Sequence, residues 1–439
     1  MFIEKIFKGN KRTALIKKNI ASSFLIKGWS CIIQFLLVPL TLNCLNQYEY
    51  GIWLTINSIL IWIDQFDMGL GNGLRNKLAE SIATNNKEKA QKQVSTTVIM
   101  LFCIIIPIYF VLSLIVIKTN LYELLNIIPA KVPNLVEIIL ISLAFVCSTF
   151  IFKFIGNIYL GLQLPAVNNL LVVSGQTMAL LLITILSLLG DKSLLHIAIA
   201  YTLSPLIIYI FSSPITFTKY KYLYPKISLF DIKELKELFS LGIIFFSIQL
   251  SGLIIFASSN ILISRLFSPS EVAPYQITYK YFSIILVVFS LISAPLWTAT
   301  TDAYTRGEYK WIKKQVAKTK FVVAILGVCL LFMTLGANIF YNIWVGDNIK
   351  IDITMSILMA LYIFELIYSM CFSNIIFGIG KIKIISYITI IEAIIFIPLA
   401  IYLGREIGIT GIVIALIIVN SLCAISNRIQ YSLIINHKV

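Results

Sequence analysis

The sequence predicts an all-α integral membrane protein, with twelve transmembrane helices in two six-helix bundles. Three observations support this fold class: an apolar composition, long apolar segments, and positive charge in alternate loops. The 439-residue chain is 59 % hydrophobic and only 13 % charged, and its mean hydropathy is +0.92. A soluble domain carries about twice that share of charge. The composition therefore excludes a soluble enzyme, a disordered chain and a disulfide scaffold.

The apolar residues are grouped into segments long enough to cross a bilayer, which requires ~20 apolar residues each. Twelve segments meet this requirement. They run roughly over residues 19–43, 50–70, 94–117, 134–158, 165–189, 193–217, 239–267, 275–299, 319–343, 353–378, 384–403 and 408–430. An even number of spans places both termini on the same side of the membrane.

The positive charges identify that side. Loops on the side of the termini hold 26 of the 35 Lys and Arg residues, whereas loops on the other side hold five. Because cytoplasmic loops carry the excess of positive charge, both termini are predicted to be cytoplasmic. The net charge of +15 is then a topology signal, and we expect no nucleic-acid partner.

The chain also contains an internal repeat. Residues 91–94 read QKQV and residues 313–316 read KKQV, 222 positions later, and each stretch opens an apolar span. Both stretches lie on the same side of the membrane. This predicts two halves with the same orientation, related by an axis along the membrane normal. The predicted domains are an N-terminal six-helix lobe (1–217), a basic cytoplasmic linker (218–238) and a C-terminal six-helix lobe (239–439).

Several ionisable residues lie inside the predicted spans, where each costs ~2.5–3.5 kcal/mol at a helix centre. Such residues need a partner, a wet cavity or a route to the interface. The candidates for a charged substrate-binding cavity are Lys27, Asp64, Asp67, Lys153, Arg265 and Lys280. Lys153 and Arg265 can also extend to the interface. Buried amides, among them Asn157, Asn168 and Asn260, suit a wet cavity that handles hydroxyl-rich cargo.

Lys27 and Asp64 fall at similar depths in neighbouring antiparallel spans, and Asp67 shares a helix face with Asp64. They form either a cluster in a cavity or a structural ion pair. For ion coupling the candidates are Asp64, Glu365 and Glu392. The two glutamates can also be interpreted as protonated carboxyl groups that are hydrogen-bonded within the protein.

Motifs for several other chemistries are missing from the sequence. It contains no GxxxxGK[ST] for ATP hydrolysis, and no HExxH or GxSxG. The two His residues are far apart and the seven Cys residues are scattered through apolar stretches. We therefore expect no metal site and no cofactor.

Residues 67–80 read DMGLGNGLRNKLAE directly after the second span, and residues 45–53 read LNQYEYGIW. Both stretches resemble oligosaccharide flippases of bacterial O-antigen and capsule pathways. Those flippases form the polysaccharide transporter branch of the multidrug/oligosaccharidyl-lipid/polysaccharide exporter superfamily. The resemblance implies a V-shaped pair of bundles with a central cavity, in the bacterial inner membrane.

The implied activity is movement of an undecaprenyl-diphosphate-linked oligosaccharide from the cytoplasmic to the periplasmic leaflet by alternating access. The implied partners are this lipid-linked oligosaccharide and membrane lipids, with a polysaccharide polymerase and a chain-length regulator. Lys27 takes the role of the family's first-span cation, and Lys280 and Arg265 are candidates in the second half. The motif supplies a cytoplasmic gate at Gly69, Gly71, Gly73, Arg75 and Lys77.

Two other functions stay open. The drug-exporting relatives favour acids in the cavity, so Asp64, Asp67 and Glu365 are compatible with a multidrug-type cation antiporter on the same fold. A membrane enzyme of polysaccharide assembly would be expected to have a large outer loop with paired Arg residues, which this chain lacks. The prediction is therefore a transporter rather than an enzyme.

Overall fold

The computed structural model describes residues 11–65, 70–239, 243–346 and 349–436. Within these ranges the chain has no β-strand and is built of α-helices joined by short connections. Eleven of the described helices are long and apolar enough to cross a membrane. The predicted all-α membrane fold is thereby confirmed.

The described helices, numbered in chain order, have the following bounds. They are α1 (Lys11–Cys44), α2 (Gln47–Leu60), α3 (Leu70–Ala83), α4 (Lys87–Lys118), α5 (Leu121–Leu124), α6 (Leu135–Phe152), α7 (Phe154–Gly161), α8 (Pro165–Leu188), α9 (Leu194–Lys219), α10 (Ile232–Phe239), α11 (Ile243–Leu266), α12 (Pro269–Thr305), α13 (Tyr309–Leu335), α14 (Ala337–Val345), α15 (Ile353–Ile379), α16 (Lys383–Ile407) and α17 (Ile409–Asn436).

The helices form two compact units. Unit 1 comprises Met1–Asn46, Ile59–Leu121 and Pro129–Phe246, and unit 2 comprises Gln47–Ser58, Tyr122–Ile128 and Ser247–Val439. In unit 1, α8 packs against α1 and α9, and α4 packs against α3 and α6. In unit 2, α15 packs against α12, α13 and α17, and α16 packs against α17.

The second predicted span, 50–70, differs most from its prediction. Its α-helix, α2, ends at Leu60 and continues as a 3₁₀ helix over Ile61–Gln65. A helix of 14 residues is about 21 Å long at 1.5 Å per residue, which is shorter than the ~30 Å hydrocarbon core. This segment therefore does not count among the eleven spanning helices.

The internal repeat appears in the helix boundaries. Helices α2 and α12 begin 222 residues apart, and so do α4 and α13. Inside the second pair, Thr97 and Thr319 each donate a hydrogen bond of 2.9 Å to the carbonyl four residues earlier. The two halves of the chain thus share one register at the start of these helices, as the QKQV and KKQV stretches predicted.

Large apolar side chains are exposed along the spanning helices. Examples are Phe110 on α4, Leu188 on α8 and Leu335 on α13. In a soluble monomer, apolar surface on this scale would be a liability, but in a bilayer these side chains contact lipid.

The linker after α9 is bound to the first turns of α4. The Gln93 amide donates to Glu234 of α10 at 3.0 Å, and its oxygen accepts from Ser81 of α3 at 3.0 Å. The Ser95 and Thr96 hydroxyls accept backbone N–H groups of the linker, each at 3.0 Å. Helix α4 is about 48 Å long by its 32 residues, so its first turns extend beyond the hydrocarbon core and can hold the linker there.

The start of α2 packs closely against the start of α12. A Cβ added at Gly51 would lie 1.7 Å from the Pro269 carbonyl oxygen, and Gln47 donates to the Ser270 carbonyl at 2.9 Å. Only a residue without a side chain allows this approach.

We predict that Gly51→Ala lowers the free energy of unfolding by about 1–3 kcal/mol, because the new methyl group must displace backbone atoms. Gly28→Ala is the matched control, since a Cβ there meets no atom within 4 Å. Thermal unfolding of the purified proteins in detergent measures both. Equal melting temperatures for the two variants would contradict the packing described for Gly51.

Candidate functional site

The structure describes only part of the predicted charged cluster on the first two spans. Lys27 is exposed on α1 and forms no hydrogen bond or ion pair with another described residue. Asp67 and the side chain of Asp64 lie outside the described residues. Pairing between Lys27 and these acids therefore stays a prediction.

Lys280 on α12 points into unit 2. Its Nζ donates to the hydroxyl of Tyr50 on α2, at 3.4 Å, and Tyr50 is 1 % exposed. Lys280 is half-buried. This geometry favours a role inside the protein over extension to the outer interface. By contrast, Arg265 is exposed in the last turn of α11, where a cation can reach the headgroups.

Buried amides form a network between α2, α11 and α12. Asn260 donates to the Ser58 hydroxyl at 2.6 Å and accepts from Gln276 at 2.8 Å. All three residues are buried, at 4 % exposure or less. In hydrocarbon such groups are stable only when they bond to one another, and this network therefore joins the three helices.

Both candidate coupling acids accept a hydrogen bond from α17. Glu392 of α16 is 4 % exposed and accepts the backbone N–H of Cys423 at 2.8 Å. Glu365 of α15 accepts from the Ser421 hydroxyl at 2.7 Å. Both acids thus have partners two residues apart on the same helix.

A cavity of about 420 Å³ lies beside Glu392 within unit 2. Glu392 lines it, together with Tyr279, Tyr362, Asn420 and Asn427. Among the described residues, the buried Oε2 of Glu365 and Oδ1 of Asn427 have no hydrogen-bond partner. Glu392 and Asn427 place oxygen acceptors on the wall of this cavity, where a proton or a small cation could bind. Sequence reasoning named both glutamates but did not find Tyr362, Asn420 or Asn427, which carry no motif.

Unit 1 has a smaller cavity, of about 230 Å³. It lies at the junction of α6 and α7, where a hydrogen bond from Gly156 N–H to the Lys153 carbonyl, three residues back, tightens the chain. Lys153 lines this cavity with Asn157, Asn168 and Tyr209. Lys153 was predicted either to line a charged cavity or to extend to the interface, and it lies on the wall of this cavity.

The glycine and cation motif begins α3, although Gly69 lies outside the described residues. Gly71 and Gly73 are buried, Arg75 is exposed, and Lys77 forms an ion pair of 3.4 Å with Glu80. Gly71 lines the unit 1 cavity. Four of the five motif residues are therefore described, on a helix that packs against α4 and α7.

No group of three or more His, Cys, Asp or Glu side chains that could hold a metal ion occurs in the described part of the chain.

The sequence matches the family model described as polysaccharide biosynthesis protein over residues 16–297, nearly two thirds of the chain. The chain belongs to this family. A second model, MatE, matches residues 244–402.

Two curated relatives cover almost the whole chain. One, from Salmonella typhimurium, bears the name "Putative O-antigen transporter" and is 22 % identical over 414 residues, which is 90 % of this chain and 91 % of that protein. A protein of the same name from Salmonella typhi is 22 % identical over 424 residues, 92 % of each chain.

Solved structures of MATE transporters share the fold. An inward-facing multidrug resistance MATE family transporter of the MOP superfamily aligns with a TM-score of 0.76 at 19 % identity, covering 95 % of each chain. A MATE transporter of Vibrio cholerae aligns with a TM-score of 0.66 at 15 % identity, covering 96 % of this chain and 98 % of that one. These relatives are named as transporters, in agreement with the prediction of a transporter rather than an enzyme.

We predict that Asn260→Leu lowers the free energy of unfolding by about 1–3 kcal/mol, because Ser58 and Gln276 lose their buried partner. Asn169→Leu is the matched control. The Asn169 side chain forms no hydrogen bond with another described residue, so its replacement removes none. Thermal unfolding in detergent is the measurement, and a loss of stability in the control alone would contradict the network.

Proposed function

We propose that the protein moves a lipid-linked oligosaccharide across the bacterial inner membrane, with both termini in the cytoplasm. The cargo is an O-antigen or capsule repeat unit on undecaprenyl diphosphate. It passes from the cytoplasmic to the periplasmic leaflet by alternating access. In the periplasmic leaflet a polysaccharide polymerase and a chain-length regulator would act on it. The observation that carries the proposal is the match to the polysaccharide biosynthesis family, together with O-antigen transporter relatives along nearly the whole chain.

The charges of the spans support this cargo. A diphosphate is anionic and forms its strongest hydrogen bonds with cationic donors away from water. Lys27, Lys153 and Lys280 all lie on spanning helices, and Lys153 and Lys280 are directed into the protein. The proposed binding cations are these three lysines, with Arg265 near the outer end and the 69–77 motif at the cytoplasmic gate.

Energy for transport is proposed to come from ions that bind in unit 2. Glu392, at a cavity wall, and Glu365, whose Oε2 lacks a partner among the described residues, are the proposed binding groups. Asp64 is a third proposed coupling acid, in the first half of the chain.

The same cavity favours one second candidate function. A buried carboxylate beside two tyrosines is also a suitable site for an organic cation, and the MatE model covers this region. A multidrug-type cation antiporter is therefore the alternative that a transport experiment has to exclude.

The most direct genetic test is deletion of the gene, followed by analysis of lipid-linked sugars. The proposal predicts that the complete lipid-linked repeat unit accumulates in the cytoplasmic leaflet and that surface polymer is lost. Drug sensitivity with normal surface polymer would support the antiporter instead.

For the first-span cation, we predict that Lys27→Ala reduces surface polymer about tenfold or more when it replaces the wild-type gene, because one charge-assisted contact to the cargo is lost. Lys27→Arg should retain part of the activity, since its charge is kept. Lys118→Ala, at the end of α4, is the control and should leave polymer unchanged. Normal polymer with Lys27→Ala at native expression would remove Lys27 from the site.

For ion coupling, we predict that Glu392→Gln abolishes the dependence of transport on an ion gradient, because an amide cannot exchange a proton or neutralise a cation. Transport into proteoliposomes with and without an imposed proton or sodium gradient is the measurement. Glu137→Gln, an exposed acid in the first turn of α6, is the matched control. A gradient response equal to the wild type in Glu392→Gln would eliminate this residue from coupling.

A further inference from the structure

The cavity of unit 1 has several polar side chains in its wall. Lys153 precedes the end of α7 at Gly161 by eight residues, or ~12 Å at 1.5 Å per residue. With Lys153 the lining includes the amides of Asn157 and Asn168 and the hydroxyl of Tyr209. Four polar side chains from α6–α7, α8 and α9 therefore converge on one space inside a helical unit.

The two amides are not used to hold helices together. Neither the Asn157 nor the Asn168 side chain forms a hydrogen bond with another residue in the described parts of the chain, although both are half-buried in spanning helices. Leaving an amide unsatisfied in an apolar environment costs about 1–3 kcal/mol. A molecule rich in oxygen, bound in the cavity, would recover that cost.

Close packing keeps one of these amides in place. A Cβ added at Gly156 would lie 2.2 Å from Oδ1 of Asn168 and 3.7 Å from the Tyr209 hydroxyl. Glycine at 156 therefore makes the room that the Asn168 side chain occupies. Because α7, α8 and α9 meet at this point, the positions of Asn168 and Tyr209 depend on one another.

The size and charge of the cavity select the class of ligand. Pockets for drug-sized molecules have volumes of about 300–1,000 Å³, so 230 Å³ is too small for an oligosaccharide and suits a single compact group. An ammonium, two amide NH₂ groups and a phenol supply many donors to such a group. Phosphate oxygens are the acceptors that this donor set binds best.

We propose that this cavity is a subsite for a phosphate group, and that it receives the diphosphate of the lipid-linked cargo. The assignment to the cargo rests on the proposed function. Lys153 supplies the positive charge, Asn157 and Asn168 donate to the phosphate oxygens, and Tyr209 donates through its hydroxyl. An anionic phospholipid headgroup carries the same chemistry, and so does free pyrophosphate, and the experiment separates these sources.

The test is binding to the purified full-length protein in a non-ionic detergent, measured by isothermal titration calorimetry. The probes are farnesyl diphosphate, short-chain phosphatidylglycerol and inorganic pyrophosphate. The proposal predicts that farnesyl diphosphate binds most tightly. Lys153→Met should weaken this binding about tenfold or more, the loss typical of one charge-assisted contact. Asn168→Ala should weaken it about threefold, and Lys153→Arg should retain most of it.

Lys118→Met is the matched control, because it removes a lysine at the far end of α4 and should leave the affinity unchanged. Tyr209→Phe is a second test variant in case Lys153→Met does not fold. It removes a single hydroxyl group and should also weaken the binding of farnesyl diphosphate. Equal affinity of the wild type and of the Lys153 and Tyr209 variants would overturn the subsite, and so would a wild type that does not bind farnesyl diphosphate. Equal or tighter binding of phosphatidylglycerol or pyrophosphate, lost in the same variants, would overturn the assignment to the cargo.

Failure of the subsite can be distinguished from failure of the proposed function. Suppose that the wild-type gene restores surface polymer to the deletion strain, and that the Lys153 and Tyr209 variants bind farnesyl diphosphate as tightly as the wild type. This result refutes the subsite alone. Continued synthesis of polymer in the deletion strain refutes the proposed function, whatever the binding result.

Discussion

The hydrocarbon core of the bilayer supplies no water, and polar atoms within it must therefore find partners in the protein. This constraint explains the main features of both units. The backbone satisfies it by forming helices. Polar side chains satisfy it in small groups, such as Asn260 with Ser58 and Gln276, or Lys280 with Tyr50. Because each group joins different helices, the same bonds that stabilise these side chains also determine which helices pack together.

Three ionisable residues lie where a helix is irregular or where a backbone N–H binds a side chain. The chain tightens at Lys153, the 3₁₀ helix after α2 includes Asp64, and Glu392 accepts the backbone N–H of Cys423 inside α17. A regular helix needs no side-chain acceptor for its N–H groups. Two of these three residues, Lys153 and Glu392, line a cavity.

Much of the fold could be predicted from the sequence, because span length and helix register depend on local hydropathy. The offset of 222 residues predicted from two short stretches recurs in the starts of α2 and α12. The candidate site was less predictable. Counting residues gives the depth of a side chain, but its direction depends on the neighbouring helix. By position, Lys153 and Arg265 can both extend to the interface, yet one lines a cavity and the other is exposed. The amides that complete each cavity come from distant segments and no local pattern predicts them.

The central claim is that this membrane protein carries a lipid-linked sugar between leaflets. The most direct measurement uses purified protein in liposomes that contain a fluorescent oligosaccharide on a prenyl diphosphate. A membrane-impermeant quencher reports the fraction of label in the outer leaflet over time. The account predicts that the wild-type protein accelerates exchange between leaflets and that Lys27→Ala slows it. No exchange above that of protein-free liposomes, together with gradient-driven movement of an organic cation by the same preparation, would contradict it.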